Sequence, residues 1–377
     1  MFLLRSSSSR ASSSSCQWLR CCSSATPFPV LKSPSQVLTD LDPKYLSLSR
    51  DLNVRHLDHV ALCQAGGGDK GIQRHTQKNK KILVRDRILA LTDPDTPLLE
   101  LGTTAGLGLE YGDVPCAGVV TAIAKIRGVH VMIVANDGTV KGGSTYPIGV
   151  TKSVRAQELA GRLGIPTLYI VDTGGAFLPL QSQIFPDVKH GGRTFRNQAV
   201  MSSEGLPQLA LVSGLCTAGG AYTPTMSDEA VIVHRIGNIY LGGPPLVKAA
   251  TGEVVTGEEL GGATLHCSVS GITDHFAQDE QESFQIIQDV VSSLNITEAE
   301  EKGRFDEPRY DDSDLLDTIA GKKRIEKSHF FSQGSSSKYR FLLHARPGPN
   351  RQRGVLRRDR RPHGRQPILR VQKELRP

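Results

Sequence analysis

From Gly118 onward the apolar residues come in short runs rich in β-branched side chains: Val119 to Ile126, Val129 to Ala135, Thr167 to Val171, Leu209 to Val212 and Val231 to Val233. Runs of this length and composition, bounded by turn residues, predict strands. Between them, Ile148 to Leu163 and Gly192 to Ser203 read as helices. Strands separated by helices of this length imply parallel β-α crossover units with a covered sheet, so the predicted class is α/β. Upstream, Leu46 to Ala65 carries apolar residues at helical spacing until Gly66-Gly67-Gly68 interrupts them. No internal repeat is evident.

Glycine punctuates the strand ends. Asp172-Thr173-Gly174-Gly175-Ala176 follows one strand and Ser213-Gly214-Leu215-Cys216-Thr217-Ala218-Gly219-Gly220-Ala221 another. Both stand where an open α/β fold presents its ligand site, outside the carboxyl ends of strands. Neither is a nucleotide fingerprint, because the chain has no GxxxxGK[ST] and these glycines do not follow G-x-G-x-x-G. Two readings fit them. They allow tight strand-to-helix connections, or they let the backbone approach a ligand and aim unpaired amides, helped by a helix N-terminus, at an oxygen that gains negative charge. Asp172 either caps a helix or takes part in chemistry. No serine sits in a G-x-S-x-G elbow, no H-E-x-x-H occurs and no carboxylate pair stands out as acid and base. The chemistry this leaves is electrostatic: backbone amides stabilise an enolate while a base from elsewhere removes the proton.

Composition narrows the picture. Hydrophobic residues make up 38% of the 377 and charged residues 22%, and no apolar stretch approaches the length of a bilayer span. The formal charge of +7 suggests nucleic acid only until it is located. Residues 338–377 hold thirteen Lys and Arg against Asp359 and Glu374, which leaves the rest of the chain mildly acidic. Neither nucleic acid nor a membrane is therefore an expected partner. The basic stretch from Lys70 to Arg87 (Arg74, His75, Lys78, Lys80, Lys81, Arg85, Arg87) reads as a solvated face or as a phosphate contact without a wrapping glycine loop. Seven cysteines form no CxxC pair and no zinc spacing with histidine, which fits a reduced compartment and no metal. Residues 1–39 contain Arg5, Arg10, Arg20 and Lys32, two serine runs and no acid. That is transit-peptide composition, read here as an address to the mitochondrial matrix ahead of a plastid.

Further blocks carry a resemblance: Ala65-Gly66-Gly67-Gly68, Arg85-Asp86-Arg87-Ile88, Thr139-Val140-Lys141-Gly142-Gly143, Arg155-Ala156-Gln157-Glu158, Cys216-Thr217-Ala218-Gly219-Gly220-Ala221-Tyr222 and Gly242-Gly243-Pro244-Pro245-Leu246-Val247-Lys248. In order and spacing from about Ala65 to Asn295 they resemble the acyl-CoA carboxyltransferases of biotin-dependent carboxylases, which have the crotonase-like superfold. Ala176-Phe177-Leu178-Pro179, Pro224 to Glu229 and His266-Cys267 look like the methylcrotonoyl-CoA type, while Thr173 and Phe177 depart from the family's usual serine and tyrosine. The resemblance implies a ligase component that transfers a carboxyl group from carboxybiotin, carried by a biotin-containing alpha subunit, to 3-methylcrotonoyl-CoA in leucine degradation. Biotin itself would act as the base. Gly219 and Gly220 match the family's backbone oxyanion turn, and Gly174, Gly175, Ala176, Ala218 and Ala221 fall at its acyl-CoA-binding corners. Family subunits form homo-oligomers.

The expected organisation is a transit segment at 1–39, the acyl-CoA carboxyltransferase domain at 40–300, a linker or domain remnant at 301–337 and a basic tail at 338–377. A family subunit continues into a second crotonase-like domain that binds biotin. The tail is rich in Arg, Pro and Gly and has almost no apolar periodicity, so a shifted reading frame is the expected origin of the difference. Three functions remain open at this stage: a carboxyltransferase for methylcrotonoyl-CoA or for propionyl- or geranyl-CoA, another acyl-CoA enzyme of the same superfold, or a non-catalytic acyl-CoA-binding fragment.

Overall fold

The computed structural model describes residues 43–296. The transit-like segment at 1–39 and the segments 301–337 and 338–377 lie outside the described residues. Helices of eight or more residues are labelled α1 to α6, and shorter turns are named by residue. In chain order the elements are α1 (Pro43–Gln64), α2 (Val84–Leu91), β1 (Leu99–Leu101), β2 (Val119–Ile126), β3 (Val129–Asn136), β4 (Ser144–Thr145), α3 (Pro147–Leu163), β5 (Thr167–Thr173), β6 (Gly175–Ala176), α4 (Gly191–Ser203), β7 (Gln208–Thr217), β8 (Glu229–Val233), β9 (Asn238–Tyr240), α5 (Pro244–Thr251), β10 (His275–Ala277) and α6 (Glu280–Ser293).

Eight strands form one sheet in the order β1-β2-β3-β5-β7-β8-β10, with β9 also paired to β7. From β3 through β5, β7 and β8 to β10 every pairing is parallel, as the strand-helix alternation predicts. The first two pairs, β1–β2 and β2–β3, are antiparallel. β2 and β3 form an antiparallel hairpin, Val119 facing Asn136 and Ile126 facing Val129. Only Arg127 and Gly128 separate the strands, too few residues for a crossover, and both take positive φ (50° and 79°). The Asp93 carboxylate accepts both turn amides at 2.7 Å.

The sheet is covered on both faces, and period-two alternation decides which face each side chain serves. Leu168 and Ile170 of β5 join Leu209 and Leu211 of β7 under α2 and α6, where Ile88, Leu91, Phe284 and Ile287 meet them. Tyr169, Val171 and Val212 point the other way, toward Ala156 and Ala160 of α3 and Met201 of α4. α3 begins with Pro147 in its first turn and stops at Gly164 in the left-handed region, the residues that start and end helices at least cost. α6 is capped by Asp279, whose side chain accepts from the Glu282 amide at 2.9 Å.

Two groups of the basic stretch are buried, and one of them, Arg87, ties a covering helix to the sheet. Arg87 is fully buried and donates to Glu280 of α6 at 2.6 and 3.1 Å, and to the Ser213 carbonyl of β7 at 2.9 Å. His75 is buried beside Ile82, its Nε2 lying 3.1 Å from that carbonyl. Burial lowers the His75 pKa below its ordinary 6.5, although the nearby Asp172 carboxylate pulls it up.

Removing one member of the Arg87–Glu280 pair leaves a buried charge without its partner. Arg87→Met should cost about 3–5 kcal/mol of stability, whereas Arg87→Met with Glu280→Leu should cost much less. Urea denaturation midpoints of the single and double variants check this. The His75 effect has a definite sign: the folded ring resists a proton that the unfolded ring takes up. Stability should therefore fall as pH drops below 6.5, and His75→Gln should flatten that part of a stability-versus-pH curve.

Candidate functional site

Both glycine corners stand at the carboxyl ends of adjacent parallel strands, β5 and β7. The first is stitched to its surroundings. The Gly174 amide donates to the Gly143 carbonyl at 3.1 Å and the Gly175 amide to Thr173 Oγ1 at 3.1 Å. Thr173 Oγ1 donates to the Gly143 carbonyl at 2.7 Å, and Phe177 donates its amide to Thr145 of β4 at 2.9 Å. The sequence suggests ligand-binding amides at Gly174 and Gly175, but those two amides already have acceptors inside the protein. This corner contributes shape. Gly175 has φ +90°, and a Cβ there would stand 3.2 Å from the Thr217 carbonyl oxygen. Phe177, beyond Ala176, stacks on Tyr146 with ring centroids 4.6 Å apart.

The second corner is more open. β7 ends at Thr217, Ala218 takes φ +53°, and a 3₁₀ turn runs from Ala218 to Ala221. In an i→i+3 turn the amides ahead of the first internal bond have no acceptor within the turn, which here means Ala218 and Gly219. The two glycines differ. A Cβ on Gly220 would collide with Thr173 Cγ2, whereas one on Gly219 would meet nothing within 4 Å. Gly220 lets the corners interlock, and Gly219 faces open space. The helix expected after this corner is a single turn, Tyr222–Thr225, containing Pro224, so it adds little macrodipole. Ala218, in the left-handed region without being glycine, is held there by its neighbours.

Below the corners lies a cavity of about 130 Å³, bounded by β5, α3 and α4 and by residues of both corners: Thr173, Gly175, Ala176, Gly219 and Gly220. Val119, Val134, Val171 and Phe195 make much of its wall apolar. Its polar groups are largely engaged with one another. Gln157 donates to the Tyr169 hydroxyl at 2.9 Å, Tyr169 donates to Gln208 at 3.0 Å, and Gln198 donates to the Thr223 carbonyl at 2.8 Å. Burial pushes the Tyr169 phenol well above its ordinary range, which keeps it neutral. Among the described residues, no Asp, Glu, His, Lys, Arg or Cys lines this cavity. Such a pocket can bind an acyl group and offer amides to an oxygen, and it holds no side-chain base of its own.

Asp172 caps no helix. It is buried at the end of β5, receives Lys81 Nζ at 3.0 and 3.1 Å, and accepts the Leu215 amide of β7 at 3.2 Å. The basic stretch thus divides: Arg74, Lys78 and Lys80 are exposed, while His75, Lys81, Arg85 and Arg87 turn inward. Arg85 pairs with Glu100 at 2.8 Å. Reading along the chain does not reveal Glu280, which lies 193 residues from Arg87. Tyr169 is missed as well, because a tyrosine inside an apolar run looks like core. No cluster of three or more metal-ligating side chains occurs among the described residues, nor is any helix there long and apolar enough to cross a membrane.

Comparison with known proteins agrees with this geometry. Residues 74–324 match the carboxyl transferase domain. The mitochondrial methylcrotonoyl-CoA carboxylase beta chain of Dictyostelium discoideum is 52% identical over 272 residues, covering 70% of this chain and 45% of that protein. The biotin-dependent 3-methylcrotonyl-coenzyme A carboxylase beta1 subunit of Mycobacterium tuberculosis is 46% identical over 285 residues, 75% of this chain and 54% of that one. Among solved structures, the geranyl-CoA carboxylase beta subunit of P. aeruginosa superposes with a TM-score of 0.61 at 30% identity, covering 78% of this chain and 52% of that chain. The chain spans about half the length of the curated relatives it matches. With a parallel sheet, two strand-end glycine corners and a match over two thirds of its length, the chain belongs to the carboxyl transferase domain family, in the crotonase-like fold of acyl-CoA carboxyltransferases.

Proposed function

We propose that this chain holds the acyl-CoA in the carboxyltransferase component of methylcrotonoyl-CoA carboxylase, a biotin-dependent ligase of leucine degradation. The observation that carries this reading is the corner at Ala218–Ala221, whose Gly219 and Gly220 line an apolar cavity that no charged side chain lines. The names of two relatives at about half identity support 3-methylcrotonoyl-CoA as the acyl substrate. Propionyl-CoA or geranyl-CoA is the alternative within the family.

Biotin, brought by a biotin-containing alpha subunit, supplies the carboxyl group and the base. The residues present fit that division: Gly219 has open space where a side chain would stand, and the cavity supplies no competing acid or base. This chain's own groups bind, orient and stabilise. Gly219 and Gly220 make the backbone oxyanion turn, in which the amides at Ala218 and Gly219 donate to the thioester oxygen as it gains charge. Ala221, Gly174, Gly175 and Ala176 shape the acyl-CoA site around it. The apolar wall excludes water, which strengthens those donated bonds. A homo-oligomer of beta subunits in the mitochondrial matrix is part of the same reading, and the mitochondrial name of the Dictyostelium relative supports the compartment.

One assay separates the alternatives: purified chain with 3-methylcrotonoyl-CoA, with and without the carboxylated biotin subunit, followed for carboxylated thioester. Product that requires biotin is the expected result. Conversion of the thioester without biotin would instead indicate another enzyme of the superfold, and binding with no product an acyl-CoA-binding module. The two glycines should also separate in kinetics. Gly220→Ala, forced against Thr173, should lower kcat by roughly 10²-fold through misplacement of the turn. Gly219→Ala, which points a methyl group into open space, should chiefly raise KM for the acyl-CoA.

A further inference from the structure

Tyr169, Val171 and Thr173 of β5 face the cavity. By strand alternation Asp172 faces the opposite side of the sheet, with Leu168 and Ile170. It does not line the cavity, and its carboxylate nonetheless links the first corner to a cation pair and to β7. Lys81 Nζ lies 3.0 and 3.1 Å from its two oxygens, and Arg87 approaches within 3.8 Å. The same carboxylate accepts the Leu215 amide at 3.2 Å, two residues before β7 ends at Thr217.

The packing leaves no slack. A Cβ on Gly214 would be driven into the Asp172 carboxyl, and one on Gly138 would stand 2.8 Å from its Oδ2. Arg87 extends the linkage by donating to the Ser213 carbonyl at 2.9 Å while Glu280 holds it from α6. One carboxylate, the residue just before the first corner, thus grips the strand leading into the second. Two carboxylates and two cations balance, so no uncompensated negative charge lies behind the turn.

We propose that Asp172, anchored by Lys81 and Arg87, is a positioning residue that sets the spacing of the two corners, so that the Ala218 and Gly219 amides converge on an enolate oxygen and not merely on a neutral carbonyl. This rests on the oxyanion reading above and goes beyond it. The groups involved touch no ligand, so their effect should appear where charge develops. A clamp that only held the fold together would change the binding of every ligand alike.

The test compares two ligands on the full chain. Isovaleryl-CoA represents the neutral thioester, and a coenzyme A thioether carrying a nitroalkyl group, bound as its nitronate anion, represents the enolate. Wild-type protein should prefer the anion. Asp172→Ala should weaken nitronate binding by about ten- to a hundredfold, the scale of a misplacement of roughly an ångström, while isovaleryl-CoA affinity changes less than about twofold. Lys81→Met should behave similarly, and Lys81→Arg, which keeps the charge, should restore the preference. If Asp172→Ala does not fold, Asp172→Asn carries the same readout, because it too removes the carboxylate charge that Lys81 holds while keeping the side-chain volume. Parallel losses for both ligands, or no loss for either, would overturn the clamp. Tighter nitronate binding by Asp172→Ala would overturn it too, since that variant leaves a net positive charge behind the turn and only a pure field effect predicts a gain. Absence of anion preference in the wild type is a different failure, and it removes the oxyanion reading itself.

Discussion

Neighbouring strands lie about 4.8 Å apart, and at the ends of β5 and β7 that spacing must accommodate two backbone corners, a buried carboxylate and one wall of a cavity. Glycine at positions 214 and 220 makes this possible, since a methyl group at either would overlap Asp172 or Thr173. Bringing the strand ends this close places four ionisable groups in the interior on one side and an apolar pocket on the other. The charge arrangement follows from the closeness. A carboxylate in that position needs cations, and the chain takes them from a segment some ninety residues earlier, Lys81 and Arg87.

The two corners do different work although both read as Gly-Gly. In the first, the donors are engaged: Gly174 bonds Gly143, and Gly175 bonds Thr173. In the second, a short 3₁₀ turn begins directly after the strand, so its leading amides have no acceptor within the turn. The difference comes from β4, a two-residue strand lying parallel to Gly175 and Ala176. Beside the first corner it holds Gly143 and accepts the Phe177 amide at Thr145, whereas Gly219 and Gly220 of the second corner line the cavity. A polar chain of Gln157, Tyr169 and Gln208 then closes the cavity wall without adding a titrating group near neutrality. Stabilisation by dipoles is the chemistry such a site offers.

Most of the sheet was legible in advance. Val119 to Ile126 is a strand with the predicted ends, and the other four apolar runs each became a strand, all four lengthened at one or both termini. Those runs are almost wholly apolar because both faces are covered, so they stood out from their surroundings. Both helices predicted after Gly118 also emerged, bounded by Pro147, Gly164 and the glycines at 191 and 192, whereas α6 was not foreseen. The strand-helix alternation implied parallel neighbours throughout, and the β2–β3 pair departs from this because a two-residue connection can only fold back.

By itself the sequence determined the five longest strands and the helices at Pro43–Gln64, Pro147–Leu163 and Gly191–Ser203, the parallel character of the sheet beyond β3 and the place of two corners at strand ends, since these depend on local periodicity and on where glycine stands. It also determined the resemblance to acyl-CoA carboxyltransferases, carried by blocks that span most of the described residues. Tertiary structure alone decided that the amides of the first corner are engaged, that Asp172 braces strands and does not cap a helix, and that half of an apparently solvated basic stretch turns inward. The physical reason is separation along the chain. Lys81 meets Asp172 across 91 residues and Arg87 meets Glu280 across 193, and no local pattern encodes a partner at that distance.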